Sequence, residues 1–181
     1  MILEKYEQPL PPVPTAVWQN PLYFIAFGLG SGAIPFAPGT MGTLWAWLAF
    51  AALNPYLSVL HWGLLIALSI PLGWWACTVT ARHMGVLDPG SIVWDEIVAF
   101  WLVLWLISPA GFGAQLVAFG LFRYFDAAKP GPVGWADRLY HDLDPARDPS
   151  AWRKAGWGIL LDDLVAAGCT LLVIASAQRV C

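Results

Sequence analysis

Five carboxylates of this chain lie inside or at the ends of apolar runs: Asp95 and Glu96 in SIVWDEIVAFWLVLWL, Asp126 closing LVAFGLFRYFD, and Asp162 with Asp163 in GILLDDLVAAG. An ionised carboxylate at membrane depth costs about 3 kcal/mol on insertion scales. Any fold of this chain must therefore pair these groups, bind a metal with them or line a polar cavity with them. Two adjacent acid pairs in such settings read as a divalent-cation site at the edge of a bilayer.

Composition supports a lipid surrounding. Only 12% of the 181 residues are charged and 59% are hydrophobic, where a soluble domain carries about a quarter charged. The 12 Trp suit an interfacial belt, in which an indole buries its ring and keeps its N–H wet. The net charge of −3 argues against a nucleic-acid partner. Residues 1–20 read as a Pro-rich polar tail without a signal-peptide core, and 21–181 as one helical unit. Cys77 and Cys169 lie in apolar runs and read as small buried thiols.

Hydropathy divides the unit into short pieces. NPLYFIAFGLG is too short to cross a membrane and runs into SGAIPFAPGTMG, a loop or broken helix. TLWAWLAFAAL follows and ends at Asn54-Pro55, and residues 59–80 are long enough to span, with a kink expected at Pro71. A polar loop over 81–92 precedes the acid-bearing segment. Pro109 to Gly113 turn, AQLVAFGLFRYF follows, and a polar segment runs from Asp126 to about Gly158 before the last apolar stretch. Six of the nine Lys and Arg fall within 123–154, so the positive-inside rule puts that segment, the tail and the 81–92 loop in the cytoplasm. Every polar motif then lies on one face of a multi-pass protein. Residues 43–53 fall below the roughly 20 needed to cross, so spans beside the motifs are short or broken.

The acids make an oxygen-rich cage suited to Mg²⁺ or Mn²⁺: Asp95, Glu96, Asp162 and Asp163 as ligands, with Asp126 as a further ligand or base. Asp95 and Glu96 point about 100° apart on a helix, so a shared cleft needs width or a metal between helices. The plain alternative is a set of helix-terminal acids favoured by the macrodipole. In R-x-x-D-x-x-K, Arg123, Asp126 and Lys129 follow one another at three-residue spacing. That pattern is either a salt-bridged helix end or an anion clamp in which Arg forks onto phosphate oxygens. Arg138 adds a third cation. The Gly-rich stretch 28–42, with Gly39, Thr40 and Thr43, offers close backbone approach and hydroxyls to an anion. Asp88, Asp137 and His141 are candidates for supporting the site. No C-x5-R, D-x-D-x-T or P-loop ending is present.

At these residues the chain resembles the phosphatidylglycerophosphatase A family of bacterial membrane lipid phosphatases. The matching blocks are FGLGSGAIPFAPGTMGTL, HMGVLDPGSIVWDEIVAF, FRYFDAAKPGPVGWADR and GWGILLDDLVAAG, in family order. The resemblance implies an all-α bundle around a central helix. It also implies Mg²⁺-dependent removal of phosphate from phosphatidylglycerophosphate, at the cytoplasmic face of the inner membrane. Residues 139–155 are longer than the family's corresponding link, and Ala99 stands where Gly is expected. On this reading Asp95, Asp126 and Asp163 are catalytic, and Arg123, Lys129 and Arg138 bind the phosphate. The attacking group is water, its pKa lowered by the cation, or an Asp side chain, Asp126 or Asp95. An ion-coupled transporter is the alternative of a different class, because intramembrane acids also mark ion pathways.

Overall fold

A computed structural model describes residues 20–140 and 142–179. His141 and the expected tail, apart from Asn20, lie outside the described residues. Seven α-helices and no strand occur among them. Helix α1 (Pro21–Ala26) is capped by the Asn20 side chain, which accepts the Leu22 N–H at 2.9 Å. A 3₁₀ stretch, Gly28–Ala33, leads to α2 (Pro38–Leu53), α3 (Val59–Met84) and α4 (Trp94–Ile107). Then come α5 (Phe112–Ala128), the short α6 (Pro132–Arg138) and α7 (Ala151–Gln178).

Three boundaries differ from the sequence expectation. The Gly/Pro-rich loop ends at Ala37, and Pro38 to Gly42 are already helical. Proline fits the first helical position, where its missing N–H has no partner to lose, and Gly42 lets α2 pass close to Val93. The polar segment 126–158 contains α6 and the first two turns of α7. Its charges are divided between these helices and the link 139–150, which carries Asp142, Asp144, Arg147 and Asp148. Helix α3 continues through Pro71 to Met84, four residues past the expected end.

Helix α4 is the central element: it packs on α2, α3, α5 and α7, and nearly every residue from Trp94 to Leu104 is buried. Indole N–H groups fix its height. Trp94 donates to the Ser69 carbonyl at 3.1 Å, Trp101 to the Ala46 carbonyl at 3.0 Å, and Trp105 to the Val59 carbonyl at 3.1 Å. Trp62, Trp47 and Trp74 make similar ties to Asn54, Gln115 and the Arg153 carbonyl. The belt expectation therefore needs correction for these residues. A buried indole needs a partner for its N–H, and here that need staples helices together. Among the described tryptophans Trp75, Trp135 and Trp157 are exposed, suited to a water–lipid boundary.

The Trp94 and Trp105 bonds show that α4 runs beside only the first half of α3, from Val59 to Ser69. Leu60, Leu64, Leu68 and Leu72 form an exposed stripe along that half, with Phe112, Leu116 and Val117 on α5 and Leu172 and Val173 on α7. So large an exposed apolar collar suits lipid, not water. Helices α3 and α7 alone are long and apolar enough to cross a membrane among the described residues, at about 39 and 42 Å by 1.5 Å per residue. The architecture is that of a helical membrane bundle whose upper end, built from the second half of α3, the first half of α7, α1 and α6, rises past the start of α4.

Gly28 seats the 3₁₀ stretch on α4. Its φ is +56°, and a Cβ there would lie 2.6 Å from Ile97 Cδ1 and 2.7 Å from Val93 Cγ2. Gly28→Ala is expected to cost about 2 kcal/mol and to lower the thermal midpoint of the detergent-solubilised protein by about 4–8 °C. Gly120→Ala, on an open face of α5 with nothing within 4 Å, should leave the midpoint unchanged or raise it.

Candidate functional site

The upper ends of α4 and α2, the lower end of the α5 motif and the middle of α7 converge on one acidic centre. Asp95 and Glu96 occupy the first turn of α4, where outward N–H groups favour negative charge. Asp162 and Asp163 sit deep within α7, far from either terminus, so helix-end preference does not explain them. Carboxylate oxygens of Asp95, Glu96 and Asp163 all lie within 4.8 Å of one another. Asp95 touches Glu96, and Asp163 touches Asp126, at hydrogen-bonding range between carboxyl groups. Asp95, Glu96 and Asp163 are each at most 9% exposed.

Such crowding is unfavourable between ionised groups, because a low dielectric strengthens repulsion as well as attraction. Asp95 Oδ1 and Glu96 Oε2 are buried with no hydrogen-bond partner. Orphaned hard oxygens on converging helices are what an Mg²⁺ or Ca²⁺-like ion takes as ligands, whereas a softer metal would want His or Cys. The donor set fits a divalent cation held by Asp95, Glu96 and Asp163.

The cations stand around this centre, already engaged. Arg123 on α5 pairs with Asp126 one turn on, approaches Glu96 Oε1 at 3.9 Å, and donates to Thr43 Oγ1 at 3.4 Å. The Thr43 hydroxyl donates to the Gly39 carbonyl at 2.8 Å. Gly39 itself abuts the site: a Cβ there would collide with Glu96 Oε1 and lie 3.2 Å from Arg123 Nη1. Helix α2 has no side-chain cap, so the N–H groups of its first turn, Gly39 and Thr40 among them, are left to bind an anion beside Arg123.

Lys129 ends α5 with a left-handed backbone, φ +47°. Its ammonium bridges Asp137 of α6 and Asp162 of α7. Burial opposes its charge, but the attraction of Asp162 and the hydrogen bonds of both carboxylates outweigh that and push its pKa up. Lys129 is thus a permanently charged strut between three helices.

The structure accordingly sorts the residues expected at the site. Asp95, Glu96, Asp163, Asp126, Arg123, Thr43 and Gly39 come together, with Thr40 half-buried on the adjoining turn of α2. Asp162 stands one step aside: one oxygen faces Lys129 and the other accepts the Asp163 N–H at 3.2 Å. Successive helical positions point about 100° apart, so neighbours in sequence serve different partners. Asp137 belongs to the Lys129 bridge. Arg138 is exposed on the last turn of α6. Asp88 is exposed in the α3–α4 loop, near enough for its charge to act at Asp162. His141 lies outside the described residues. Cys77 is buried as expected, whereas Cys169 is only half-buried; Cys77 also lies within electrostatic reach of Glu96, Asp88 and Asp163. Its neighbours in sequence carry no acid and so no sign of them.

Comparison with known proteins points to one family. The family model described as phosphatidylglycerophosphatase A matches residues 24–178. A protein of Escherichia coli (strain K12) named phosphatidylglycerophosphatase A is 38% identical over 147 residues, covering 81% of this chain and 77% of the relative. One of the same name from Haemophilus influenzae is 37% identical over 159 residues, covering 88% and 90%. A third, from Bacteroides thetaiotaomicron, provisionally named a phosphatidylinositol-3-phosphatase, is 33% identical over 163 residues, covering 86% and 92%. No solved structure matches.

Replacing one buried acid by its amide should separate repulsion from ion binding. Without divalent ions, Asp163→Asn removes a crowded charge and is expected to raise the thermal midpoint by a few degrees. Millimolar Mg²⁺ or Mn²⁺ should raise the midpoint of the unaltered protein by mass action and do so far less in the variant. Equal metal-induced shifts in both proteins would remove Asp163 from the ion's ligands.

Proposed function

The chain belongs to the phosphatidylglycerophosphatase A family, and from that membership we propose that it hydrolyses the terminal phosphomonoester of phosphatidylglycerophosphate to phosphatidylglycerol and phosphate, using Mg²⁺. The observation that carries the proposal is the meeting of Asp95, Glu96 and Asp163 oxygens within 4.8 Å beside Arg123 and the uncapped start of α2. A cation-binding cage and an anion-binding rim side by side suit a phosphoryl group, whose oxygens need positive charge from several directions as it transfers.

Asp95, Glu96 and Asp163 hold the ion, with Asp126 next to Asp163. When bound, Mg²⁺ supplies positive charge to the phosphoryl oxygens and lowers the pKa of water. Arg123 and the first-turn N–H groups of α2 orient the phosphate, with Thr43 fixing the guanidinium through its hydroxyl. Asp126, held by Arg123 and touching Asp163, is placed to take the proton of the attacking water. Lys129 keeps Asp162 neutralised and α5, α6 and α7 in register, a positioning role rather than direct contact with phosphate. A substrate tied to the membrane by its acyl chains suits this depth, since the centre lies where the apolar collar gives way to the polar upper end. The active face is the cytoplasmic one of a multi-pass protein in the bacterial inner membrane, by the positive charge gathered within residues 123–154. The Bacteroides relative's name makes the phosphoinositide head group the competing substrate to assay.

Purified protein in neutral micelles is expected to release phosphate from phosphatidylglycerophosphate with Mg²⁺ and to stop with EDTA. Asp95→Asn should fall below about one thousandth of normal turnover, and Arg123→Ala should lose about 10²-fold in kcat/KM. Solute flux into sealed vesicles without any phosphate release would establish the transporter instead. Protein acid-quenched during turnover of ³²P-labelled substrate should carry no label; a hydroxylamine-labile phosphate on Asp126 or Asp95 would establish the aspartyl route.

A further inference from the structure

A groove of about 500 Å³ opens on the upper end of the bundle, lined by Thr78 and Arg82 of α3, Pro145 and Pro149 of the preceding link, and Trp152 and Arg153 of α7. It shares no residue with the acidic centre. Thr78 and Arg82 lie five and nine residues beyond Gly73, the point where α3 meets Trp94 at the start of α4. That places the groove about 8–14 Å further along the α3 axis, on the polar side of the centre.

Four of the described Lys and Arg hold no carboxylate among the described residues; two of them line this groove and the other two are Arg138 and Arg179. Arg123, Lys129, Arg147 and Lys154 each hold a carboxylate. Arg82 and Arg153 hold none among the described residues. The nearest acid of the link, Asp148, is taken by Lys154 at 2.7 Å and by Ser150, whose N–H and hydroxyl donate to it at 2.8 and 2.6 Å. Those hydrogen bonds, Lys154's first, hold its carboxyl down at about 2, so it stays an anion matched to its own cation.

The helices that carry the two exposed arginines are tied together beneath the groove. Trp74 on α3 donates to the Arg153 carbonyl at 2.9 Å, and Gly156 lets α7 lie directly against Thr78 and the Trp74 carbonyl. Two prolines stiffen the facing rim, and the Trp152 side chain forms a partly buried wall. A volume of this size accommodates a small ligand. Two unpaired guanidinium forks against a rigid wall match the oxygens of a phosphate group.

We infer that this groove is a second phosphate-binding site, taking either a free phosphate ion or the phosphate of an anionic phospholipid head group, independent of the acidic centre. It does not rest on the hydrolase reading, and it can hold or fail alone.

The test is calorimetric titration of the full-length protein in neutral detergent, with inorganic phosphate in one arm and short-chain phosphatidylglycerol in the other. Arg123→Ala silences anion binding at the acidic centre and leaves the groove intact. In that background at least one ligand should bind, and adding Arg82→Gln with Arg153→Gln should weaken it at least tenfold. Binding of phosphate alone identifies the free ion, and binding of the lipid alone or of both identifies the head group as an occupant. The Arg82→Gln/Arg153→Gln protein with Arg123 restored should keep turnover in neutral micelles within about twofold. Unchanged isotherms in the glutamine variants, or no binding of either ligand in the Arg123→Ala background, would overturn the inference. If the protein binds here yet hydrolyses no lipid phosphate, the groove stands and the hydrolase reading falls.

Discussion

Mutual repulsion among buried carboxylates governs this structure. Asp95, Glu96, Asp126 and Asp163 crowd into one space, and among the described residues only Arg123 opposes them directly. Removing a charge's counter-charge in a protein interior costs about 3–5 kcal/mol, so a chain that gathers several acids around one guanidinium carries an unmet demand for positive charge. Lys129 does not meet it, being committed to Asp137 and Asp162. The demand is local, it is for a hard cation, and it lies beside a rim suited to phosphate.

The remaining architecture holds that strained arrangement together. Helices ordinarily approach to 8–10 Å, and oxygens from α4, α5 and α7 meet here only because close packing brings the helices in. Glycines permit that approach at chosen points: Gly39 against Glu96 and Arg123, Gly42 against Val93, Gly73 against Trp94. Indole N–H bonds from Trp94, Trp101 and Trp105 then fix α4 against sliding along α2 and α3. Each bond contributes only about 1 kcal/mol net. Their value is positional, since a one-residue slip of α4 would move both acids about 1.5 Å along its axis.

Much of this was legible in the sequence, for reasons that can be named. The apolar runs around Asp95, Glu96, Asp162 and Asp163 announced acids with no solvent, and the three-residue spacing of Arg123, Asp126 and Lys129 announced a helical clamp. Spacing could not apportion partners across helices. It left Asp162 in the cage, whereas the structure gives it to Lys129. The tryptophans were misread because composition cannot distinguish an indole N–H kept wet from one bonded to a carbonyl on another helix. The start of α2 was hidden by its glycines and prolines, which signal a break in isolation but pack as a helix once Pro38 is its first residue. The groove between Arg82 and Arg153 joins residues more than seventy positions apart, and no local pattern relates them.

The shortness of α4 sets the depth at which the chain can act. Fourteen residues make a helix about 21 Å long, and Trp105 fixes its lower end at the foot of α3. The first turn, with Asp95 and Glu96, therefore cannot reach the upper end that α3 and α7 attain. It opens instead at mid-height, where the leucine stripe of α3 finishes at Leu72 and the exposed Trp75 follows. A longer α4 would lift the acids into water, where solvation would satisfy them without a cation. A shorter one would sink them among apolar side chains, where no polar head group could follow. At the level observed the acids are buried yet close to the boundary, a depth at which, on the proposed hydrolase reading, a lipid's phosphate reaches them while its acyl chains stay in the bilayer.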